Sequence, residues 1–475
     1  MTRVLRSGPL ALIVALTLAL ASAGAAQTHI VIMHTNDIHG HLQPENGAGG
    51  LEMVAAIVKR EHPDLLLDAG DMFTGTLLTD NFYGEPVMAV MNRMGYDATI
   101  IGNHEFDYGL GMLRTRVNQA KLPVLSANVV FPFNDVQKTK IVEAKGIRFG
   151  IIGLTTMEAA TTTHPKNLKN VQIIDLIKAL ETNLPQLRAR SDFIIVLGHL
   201  TTEEEQRIAR TFPEIRLIIG GHIHTPLKEP IMENGTMIVR NGAFGQSVGR
   251  LDLDFEDRKF TKISEKFIEV KGIPPDPDAV KAVEPFRAKV QDKMDAVLGV
   301  AAAPLLKTNS DESPLFNMIT DAYRAKTGTQ MAMANPGGIR TSLPAGPITY
   351  GKIFEILPFE NTLVTMKITG AAVKRSLAVD ITAISGVRAV FDPSKPKNQR
   401  LASATLADGS PIIDDAIYTV TVNDFMQAGG DGYDEFTKGA DTIDTGIRLR
   451  DIVSEYITAH KTINPVTDGR VQILK

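Results

Sequence analysis

Seven side chains of the types that bind divalent cations follow apolar runs in the first half of this 475-residue chain. They are Asp37 and His39 in HTNDIHG, Asp71 in LDAGD, Asn103 in IGNHEFD, His199 in VLGH, and His222 and His224 in IGGHIH. Carboxylate, amide and imidazole groups suit divalent cations that act on phosphate esters, and one aspartate can bridge two ions. A single tetrahedral ion needs about four ligands, so this larger set predicts two ions.

The apolar runs before these residues are typical of strands buried on both faces. They read HIVIMHT, DLLLDAG, ATIIGN, FGIIGLT, DFIIVLG and IRLIIGG. Helical patterns lie between them at residues 51–60, 86–94, 111–120 and 171–187, which indicates an α/β fold. Polar residues after strand ends stand where open α/β sheets bind ligands. If Asp37 and His39 lie on a regular strand, their side chains share one face.

The pattern changes after residue 238. Residues 238–270 read as strands that close the first domain, with LDLDFEDRKF as a hairpin, and GIPPDP then breaks the pattern. A charged helix is predicted over residues 278–298. We therefore predict a signal peptide at residues 1–26, a first domain at 27–273, a linker helix at 274–300 and a second domain at 301–475.

The N-terminus has the features of a secretory signal: Arg3 and Arg6, an apolar run at residues 10–20, and the small residues of ASAGAA. That run is shorter than the about 20 residues of a membrane span, so no stable span is expected. The chain has no cysteine, which excludes disulfides and thiolate zinc sites and fits a bacterial periplasm. We expect a periplasmic or secreted protein. The net charge of −4 argues against a nucleic-acid polymer as partner.

The five motifs resemble those of the calcineurin-like metallophosphoesterases, and the second half is similar to the C-terminal domain of the 5′-nucleotidase family. The resemblance implies a four-layer αββα sandwich of two mixed sheets, followed by a smaller α+β substrate-binding domain. It also implies two divalent ions (Zn, Mn, Co or similar). One ion would be held by Asp37, His39, Asp71 and His224. The other would be held by Asp71, Asn103, His199 and His222.

His104 resembles the catalytic histidine of that family, and Asp107 resembles the acid that orients it. Their i, i+3 spacing brings the two side chains together if the segment is helical. The alternative is that Asp107 caps the N-terminus of the next helix. In the implied reaction, hydroxide formed at the metal pair attacks the phosphorus in line, without a covalent enzyme intermediate.

The second half contains three motifs that resemble a nucleotide site: NPGGIR, ILPFENT and NDFMQAGGDGY. The resemblance assigns Asn335 to the base, Arg340 to the phosphate and Asp431 to the ribose. It places Phe359 and Phe425 on the two faces of the base. For each phenylalanine, plain core packing is the alternative.

One segment departs from the family pattern. The family commonly has an arginine before the glutamate of the segment that reads DESPLFN here, and this chain has Asp311 at that position. Lys307, slightly upstream, could supply the missing positive charge as a point charge. The predicted substrate is a small nucleotide phosphate ester, as for a 5′-nucleotidase or UDP-sugar hydrolase. The alternatives are a 2′,3′-cyclic nucleotide and a non-nucleotide ester. A periplasmic binding protein has no need of seven metal-ligand side chains.

Overall fold

The computed structural model describes residues 27–45 and 47–474. The predicted signal peptide, residues 1–26, lies outside the described residues. Within the described ranges, no helix combines the length and the apolar character needed to cross a membrane.

Ten strands of the first half form two mixed sheets, in the orders β14-β13-β1-β2 and β11-β12-β10-β9-β7-β6, and β3-β4 and β5-β8 form two separate pairs. The strands are β1 (Gln27–Thr35), β2 (Leu65–Asp68), β3 (Thr99–Ile100), β4 (Val124–Leu125), β5 (Val129–Val130), β6 (Thr139–Ala144), β7 (Ile147–Thr155), β8 (Gln172–Ile173), β9 (Phe193–His199), β10 (Leu217–Gly220), β11 (Ile231–Glu233), β12 (Thr236–Arg240), β13 (Ser247–Glu256) and β14 (Lys259–Glu269). Strand β1 runs parallel to β2 and antiparallel to β13. The predicted hairpin is the β13–β14 pair, so that prediction is confirmed.

The predicted helices are present, with different bounds. The helices are α1 (Leu51–Glu61), α2 (Leu77–Asp80), α3 (Glu85–Met94), α4 (Gly109–Gln119), α5 (Ala159–Thr162), α6 (Leu176–Arg190), α7 (Thr202–Thr211) and α8 (Pro277–Asp295). The predicted start at residue 171 is wrong, because Asp175 caps α6 by accepting from Ile177 N and Lys178 N.

The first half is a sandwich of four layers, as predicted. Ile32 and Leu67 of one sheet share a buried core with Ile195 and Ile219 of the other, so the two sheets pack face to face. The outer face of the first sheet packs against α1, α3 and α8. The outer face of the second sheet packs against α6 and α7. This αββα arrangement aligns the ends of strands from both sheets at one edge.

Helix α8 belongs to the outer helix layer of the first half. Ala282 and Val283 of α8 are buried against residues of α1 and α3. Helix α8 therefore packs on the first half along its length. It also ends earlier than predicted, because Val297 already pairs with Thr349 in a new sheet. The proposed division of the chain at residues 273 and 301 stays a prediction.

The second half is a smaller α+β unit around a five-stranded sheet of order β19-β16-β22-β18-β23. Its strands are β15 (Val297–Ala301), β16 (Met331–Ala334), β17 (Gly346–Thr349), β18 (Thr362–Thr369), β19 (Ala383–Ser385), β20 (Val387–Phe391), β21 (Leu401–Leu406), β22 (Ile417–Asn423), β23 (Ala440–Arg448), β24 (Thr462–Ile463) and β25 (Val471–Ile473). Its helices are α9 (Pro314–Thr327), α10 (Tyr350–Ile356), α11 (Gly370–Ala378), α12 (Asp424–Gln427) and α13 (Leu449–His460). The predicted fold class is confirmed in both halves.

Candidate metal centre and substrate cleft

Six of the seven predicted metal ligands lie in loops beyond strand ends, and the seventh, His199, is the last residue of β9. Strand β1 ends at Thr35, so Asp37 and His39 are past it, with φ of 50° and 48°. The expectation that they share one face of a regular strand is wrong. Both residues adopt the left-handed conformation, and their backbone N–H groups donate to Gly70 O and Asp71 O of the loop after β2.

Five of the seven predicted ligands share this left-handed backbone. They are Asp37, His39, Asp71, His222 and His224, with φ between 48° and 76°. Aspartate and histidine tolerate this region better than most residues, yet each instance still costs on the order of 1–3 kcal/mol. Proteins keep strained residues of this kind only where neighbouring contacts hold the backbone in place. Such residues are most common at functional sites.

One group of ligand atoms consists of Asp37, His39 and His224, whose atoms lie within 4.8 Å of one another. His39 Nε2 is 2.9 Å from His224 Nε2 and 3.8 Å from Asp37 Oδ1. His224 Nε2 is 3.3 Å from the same carboxylate oxygen. The three side chains therefore point at one position.

A second group consists of Asp71, His199 and His222, again with ligand atoms within 4.8 Å of one another. Asp71 Oδ2 is 2.9 Å from His199 Nε2 and 3.6 Å from His39 Nε2 of the first group. Asp71 thus lies between the two groups, in the position that a bridging carboxylate requires. His222 Nε2 is 3.1 Å from Glu158 Oε2, which leaves its Nδ1 as the ring nitrogen for a ligand.

Two of the four ligand imidazoles are oriented by backbone carbonyl groups. His39 Nδ1 donates to Thr74 O at 3.1 Å, and His199 Nδ1 donates to Ala69 O at 2.8 Å. These hydrogen bonds fix the tautomer that presents Nε2 to a metal, as is usual for histidine ligands. The Asp37 carboxylate accepts from His222 N and from the Asn36 amide.

Glycine is required where the loops approach each other. A Cβ on Gly102 would lie 2.2 Å from Asp71 Oδ1, and one on Gly221 would lie 2.9 Å from His199 Nδ1. Gly221 therefore lets the backbone before His222 pass close to the ligand groups. Before His199 the reason is different, because a Cβ on Gly198 would meet Leu200 at 2.6 Å.

Sequence reasoning missed Glu105, which joins two of the ligand loops. Its carboxylate accepts from Asp71 N at 3.0 Å, Met72 N at 2.7 Å and Gly102 N at 2.7 Å. The side chain is buried, with 1% exposure. Its place inside the IGNHEFD motif is the signal that could have identified it.

The carboxylates and imidazoles of the centre shift one another's pKa. Burial alone would raise the pKa of Asp71, but the positive charge of His199 holds it well below its usual range. Burial opposes a charge on His199, yet Asp71 and Asp37 raise the pKa of His199 to about 10. Burial, and then the charges of His224 and Arg340, lowers the pKa of His39.

The residues present fit two divalent ions. Asn103 Oδ1 is buried and has no hydrogen-bond partner among the described residues, although buried polar atoms normally have one. A cation beside Asp71 would satisfy this oxygen. The donor set of carboxylate, amide and imidazole groups is that of Zn, Mn, Co or similar ions.

His104 and Asp107 contact each other beside the ligand groups. Residues His104–Phe106 form a 3₁₀ turn, and His104 Nδ1 lies 2.8 Å from Asp107 Oδ2. The alternative role of Asp107 as a helix N-cap is wrong, because α4 begins after Tyr108 without a side-chain cap. Burial opposes a charge on His104, but Asp107 and Asp71 raise its pKa.

The ligand groups open into a cleft of about 630 Å³ that both halves of the chain line. All five substrate residues predicted in the second half line this cleft. They are Asn335, Arg340, Phe359, Phe425 and Asp431. Arg340 Nη2 lies 3.3 Å from His39 Nε2, so this guanidinium reaches the ligand groups across the cleft.

Asn335 and Asp431 hold each other in place. The Asn335 amide donates to Asp431 Oδ2 at 2.8 Å and accepts from the Asn423 amide at 2.9 Å. Asp431 has a φ of 56°, in the left-handed region. Phe425 is buried to 9% exposure, and Gly430 leaves room for its ring, because a Cβ there would lie 2.3 Å from Phe425 Cζ.

Phe359 stacks on the ring of His104, with centroids 5.4 Å apart and planes at 11°. The fully buried Arg450 supports its loop by donating to the Pro358 and Phe359 carbonyl groups. Phe359 is therefore held by the second half while its ring covers a side chain of the first half. No sequence pattern indicated the role of Arg450.

Asp311 is exposed and is not among the residues that line the cleft. The acidic residue at the position of the family arginine therefore does not face the ligand groups. Lys307 does line the cleft. Burial, and then the charge of Arg340, lowers its pKa to about 8.

The αββα sandwich, the strand-end ligands and the two-sided cleft define a metal-dependent phosphoester hydrolase. A calcineurin-like phosphoesterase model matches residues 30–226, and a model of the 5′-nucleotidase C-terminal domain matches residues 295–438. The crystal structure of a 5′-nucleotidase precursor from Thermus thermophilus has a TM-score of 0.89 and 31% identity, over 94% of this chain and 99% of that chain. The chain belongs to the 5′-nucleotidase family.

Two further relatives agree with this assignment. Protein UshA of Yersinia enterocolitica is 28% identical over 92% of each chain. The trifunctional nucleotide phosphoesterase protein YfkN of Bacillus subtilis is 26% identical over 93% of this chain, which spans 35% of that protein's length.

Proposed function

We propose that this protein hydrolyses phosphate esters of small nucleotides with the help of two divalent ions. The observation that carries the proposal is the position of Asp71, which lies 2.9 Å from His199 of one ligand group and 3.6 Å from His39 of the other. The names of the relatives, which include 5′-nucleotidase and nucleotide phosphoesterase, support a nucleotide substrate.

The proposed ligand sets follow the two groups of atoms. Asp37, His39 and His224 would hold one ion together with Asp71. The second ion would be held by Asp71, Asn103, His199 and His222. Two ions in these positions would polarise the phosphoryl oxygens and lower the pKa of a coordinated water.

The protein's own side chains then position the substrate and the charges. Asp107 fixes the His104 ring with Nδ1 toward the carboxylate, so that Nε2 faces the cleft. The protonated His104 would stabilise the charge that develops on the phosphoryl group or on the leaving oxygen. Arg340 would bind the phosphate from the opposite wall as a planar donor.

The nucleoside would be bound by the second half. Phe359 and Phe425 would contact the base through their ring faces, while Asn335 and Asp431 would bind polar groups of the base and ribose. Phe359 now stacks on His104. In the proposed complex, its other face or a displaced ring would receive the base.

The direct test is a substrate panel with metal-loaded protein: AMP, UDP-glucose, 2′,3′-cyclic AMP and bis(p-nitrophenyl) phosphate. We expect turnover of AMP or UDP-glucose, and loss of that turnover after the metals are removed with a chelator. Hydrolysis confined to the two diesters would contradict the proposal and favour a cyclic-nucleotide phosphodiesterase.

We also propose that the protein is exported, on the basis of the signal-like segment at residues 1–26. Expression of the full chain in a Gram-negative host, followed by N-terminal sequencing of the periplasmic fraction, tests this. Cleavage near residues 23–26 is the expected result. Full-length protein retained in the cytoplasm would contradict it.

A further inference from the structure

Two cationic side chains on the second-half wall of the cleft lack an acidic partner. Lys307 and Arg340 both line the cleft, and within the described part of the chain neither forms an ion pair. The Arg340 guanidinium makes hydrogen bonds only to the Gly337 carbonyl and to His39 Nε2 among the described contacts. By contrast, Lys166 of the same cleft lies 3.8 Å from Asp424 Oδ2.

The acidic groups of the cleft are already engaged. Asp107 contacts His104, and Asp424 contacts His164 and Lys166. The remaining contacts are Asp431 with Asn335, Asp80 with Tyr108, and Glu360 with Arg448 and Arg450. Of the metal-side carboxylates, Asp37 and Asp71 would be neutralised by the ions. The two cations are thus the charged groups of the described cleft that remain available to an external anion.

The backbone keeps Lys307 and Arg340 together. Leu305 and Leu343 pair through two backbone hydrogen bonds of 2.9 and 3.0 Å, and Lys307 N donates to Ser342 Oγ at 3.0 Å. Lys307 and Arg340 therefore lie on neighbouring segments that are fixed to each other. Ser313, the N-cap of α9, binds the Leu306 carbonyl and anchors the Lys307 segment from the other side.

The charge on Lys307 is electrostatically unfavourable without a ligand. Two like charges on adjacent segments repel, and burial removes the water that would screen them. The effect is visible at Lys307, where burial and then Arg340 lower the pKa to about 8. A bound anion with two negative charges would relieve both costs. A phosphomonoester carries about two charges at neutral pH because its second pKa is about 6, whereas a phosphodiester carries one.

We propose that Lys307 acts with Arg340 as a binding position for the second negative charge of a phosphomonoester, and that this pair makes the enzyme favour monoesters over diesters. This inference rests on the proposed function, since it names the ester class that the same cleft selects. It gives Lys307 the role that the family pattern would have assigned to an arginine at the position of Asp311.

The test compares Lys307→Met with wild-type protein on p-nitrophenyl phosphate and bis(p-nitrophenyl) phosphate, both loaded with the same metal. We expect kcat/KM for the monoester to fall about 10- to 100-fold, the range for loss of a charge-assisted hydrogen bond, and kcat/KM for the diester to change less than about threefold. Lys307→Arg, which keeps the charge, should retain most of the selectivity. Lys166→Met, which removes a cleft lysine that has an acidic partner, should leave the monoester-to-diester ratio within about twofold.

A binding measurement supplies a readout independent of turnover. Calorimetric titration of metal-loaded protein with inorganic phosphate should show a weaker Kd for Lys307→Met than for wild-type or Lys307→Arg protein. Equal losses for monoester and diester, or unchanged phosphate affinity in Lys307→Met, would overturn the inference. If wild-type protein hydrolyses p-nitrophenyl phosphate but no nucleotide, the proposed function fails, while the Lys307 comparison still decides this inference.

Discussion

The two walls of the cleft hold their functional side chains in different ways. On the first-half wall, Asp37, Asp71 and His199 are almost fully buried, and their orientation is set by hydrogen bonds to the backbone. On the second-half wall, Asn335 and Asp431 hold each other, and Arg340 and Phe359 contact the opposite half. In the proposed function, the first-half wall would carry the chemistry, and the second-half wall would recognise the substrate through contacts that the substrate can replace.

This contrast predicts which kinetic parameter each wall controls. Side chains that stabilise the transition state alone affect kcat, whereas groups that bind ground and transition states alike affect KM. Changes on the first-half wall should therefore lower kcat and metal content. Changes on the second-half wall should raise KM or alter selectivity.

The largest effect is expected for Asp71→Asn. This change weakens both ions at once, so kcat should fall by at least about 1,000-fold, beyond the loss for a single electrostatic donor. Metal analysis should show fewer than two ions per chain. Asp97→Asn is a matched control, because this carboxylate accepts one hydrogen bond from Leu66 N at the far end of β2. Normal metal content in Asp71→Asn would contradict its bridging role.

Glu105→Gln should have the next largest effect. A glutamine offers one oxygen and an NH₂ group to the three backbone N–H donors of Asp71, Met72 and Gly102. We expect about a 10- to 100-fold loss of activity or metal affinity and a loss of about 1–3 kcal/mol in stability. Metal titration and thermal unfolding measure the two effects. A variant with wild-type metal affinity would show that Glu105 does not position the ligand loops.

Arg340→Ala tests the second-half wall. If Arg340 binds ground and transition states alike, KM for AMP should rise about 10- to 100-fold while kcat changes little. Steady-state kinetics beside Asp71→Asn gives the comparison. Equal losses in kcat for the two variants would remove the functional distinction between the walls.

Phe425→Ala should produce a smaller and more selective change. Loss of a ring contact with the base should weaken nucleotide binding roughly tenfold or less. The change should leave p-nitrophenyl phosphate, which has no base, nearly unaffected. Comparable losses on both substrates would indicate that Phe425 is a core residue whose removal disturbs the fold.

The smallest predicted effect is a dependence of KM on pH. Burial, and then the charge of Arg340, lowers the pKa of Lys307 to about 8, so the lysine is charged below that pH and loses its charge above it. If the charged form alone binds, KM for a monoester should rise about fourfold from about pH 7 to about pH 8.5. Lys307→Arg should abolish this rise in KM. An identical rise in both proteins would assign it to another group.

The order of strands and ligand motifs could be predicted from sequence because each motif follows an apolar run. The local geometry could not. The spacing of Asp37 and His39 suggested one face of a strand, but both residues lie in a loop and have left-handed backbone conformations. Aspartate and histidine permit this conformation without specifying it. Glu105 and Arg450 were missed because their partners are mainly backbone groups from distant segments, and backbone groups leave no signature in a sequence.

The residues of the second-half wall could be predicted only through the resemblance to the family. Asn335, Arg340, Phe359, Phe425 and Asp431 do line one cleft, but their motifs alone do not state that Phe359 stacks on His104. The exposure of Asp311 and the place of Lys307 in the cleft wall also needed the fold. The Lys307 segment is held by Ser342, which follows helix α9 in the chain.

Anomalous diffraction from crystals of the wild-type protein grown with Mn²⁺ tests the central claim most directly. The ligand arrangement predicts two peaks about 3.5–4 Å apart, with Asp71 bound to both ions and Asn103 Oδ1 bound to one. A single peak, or an Asp71 carboxylate turned away from His39 and His222, would contradict the two-ion site.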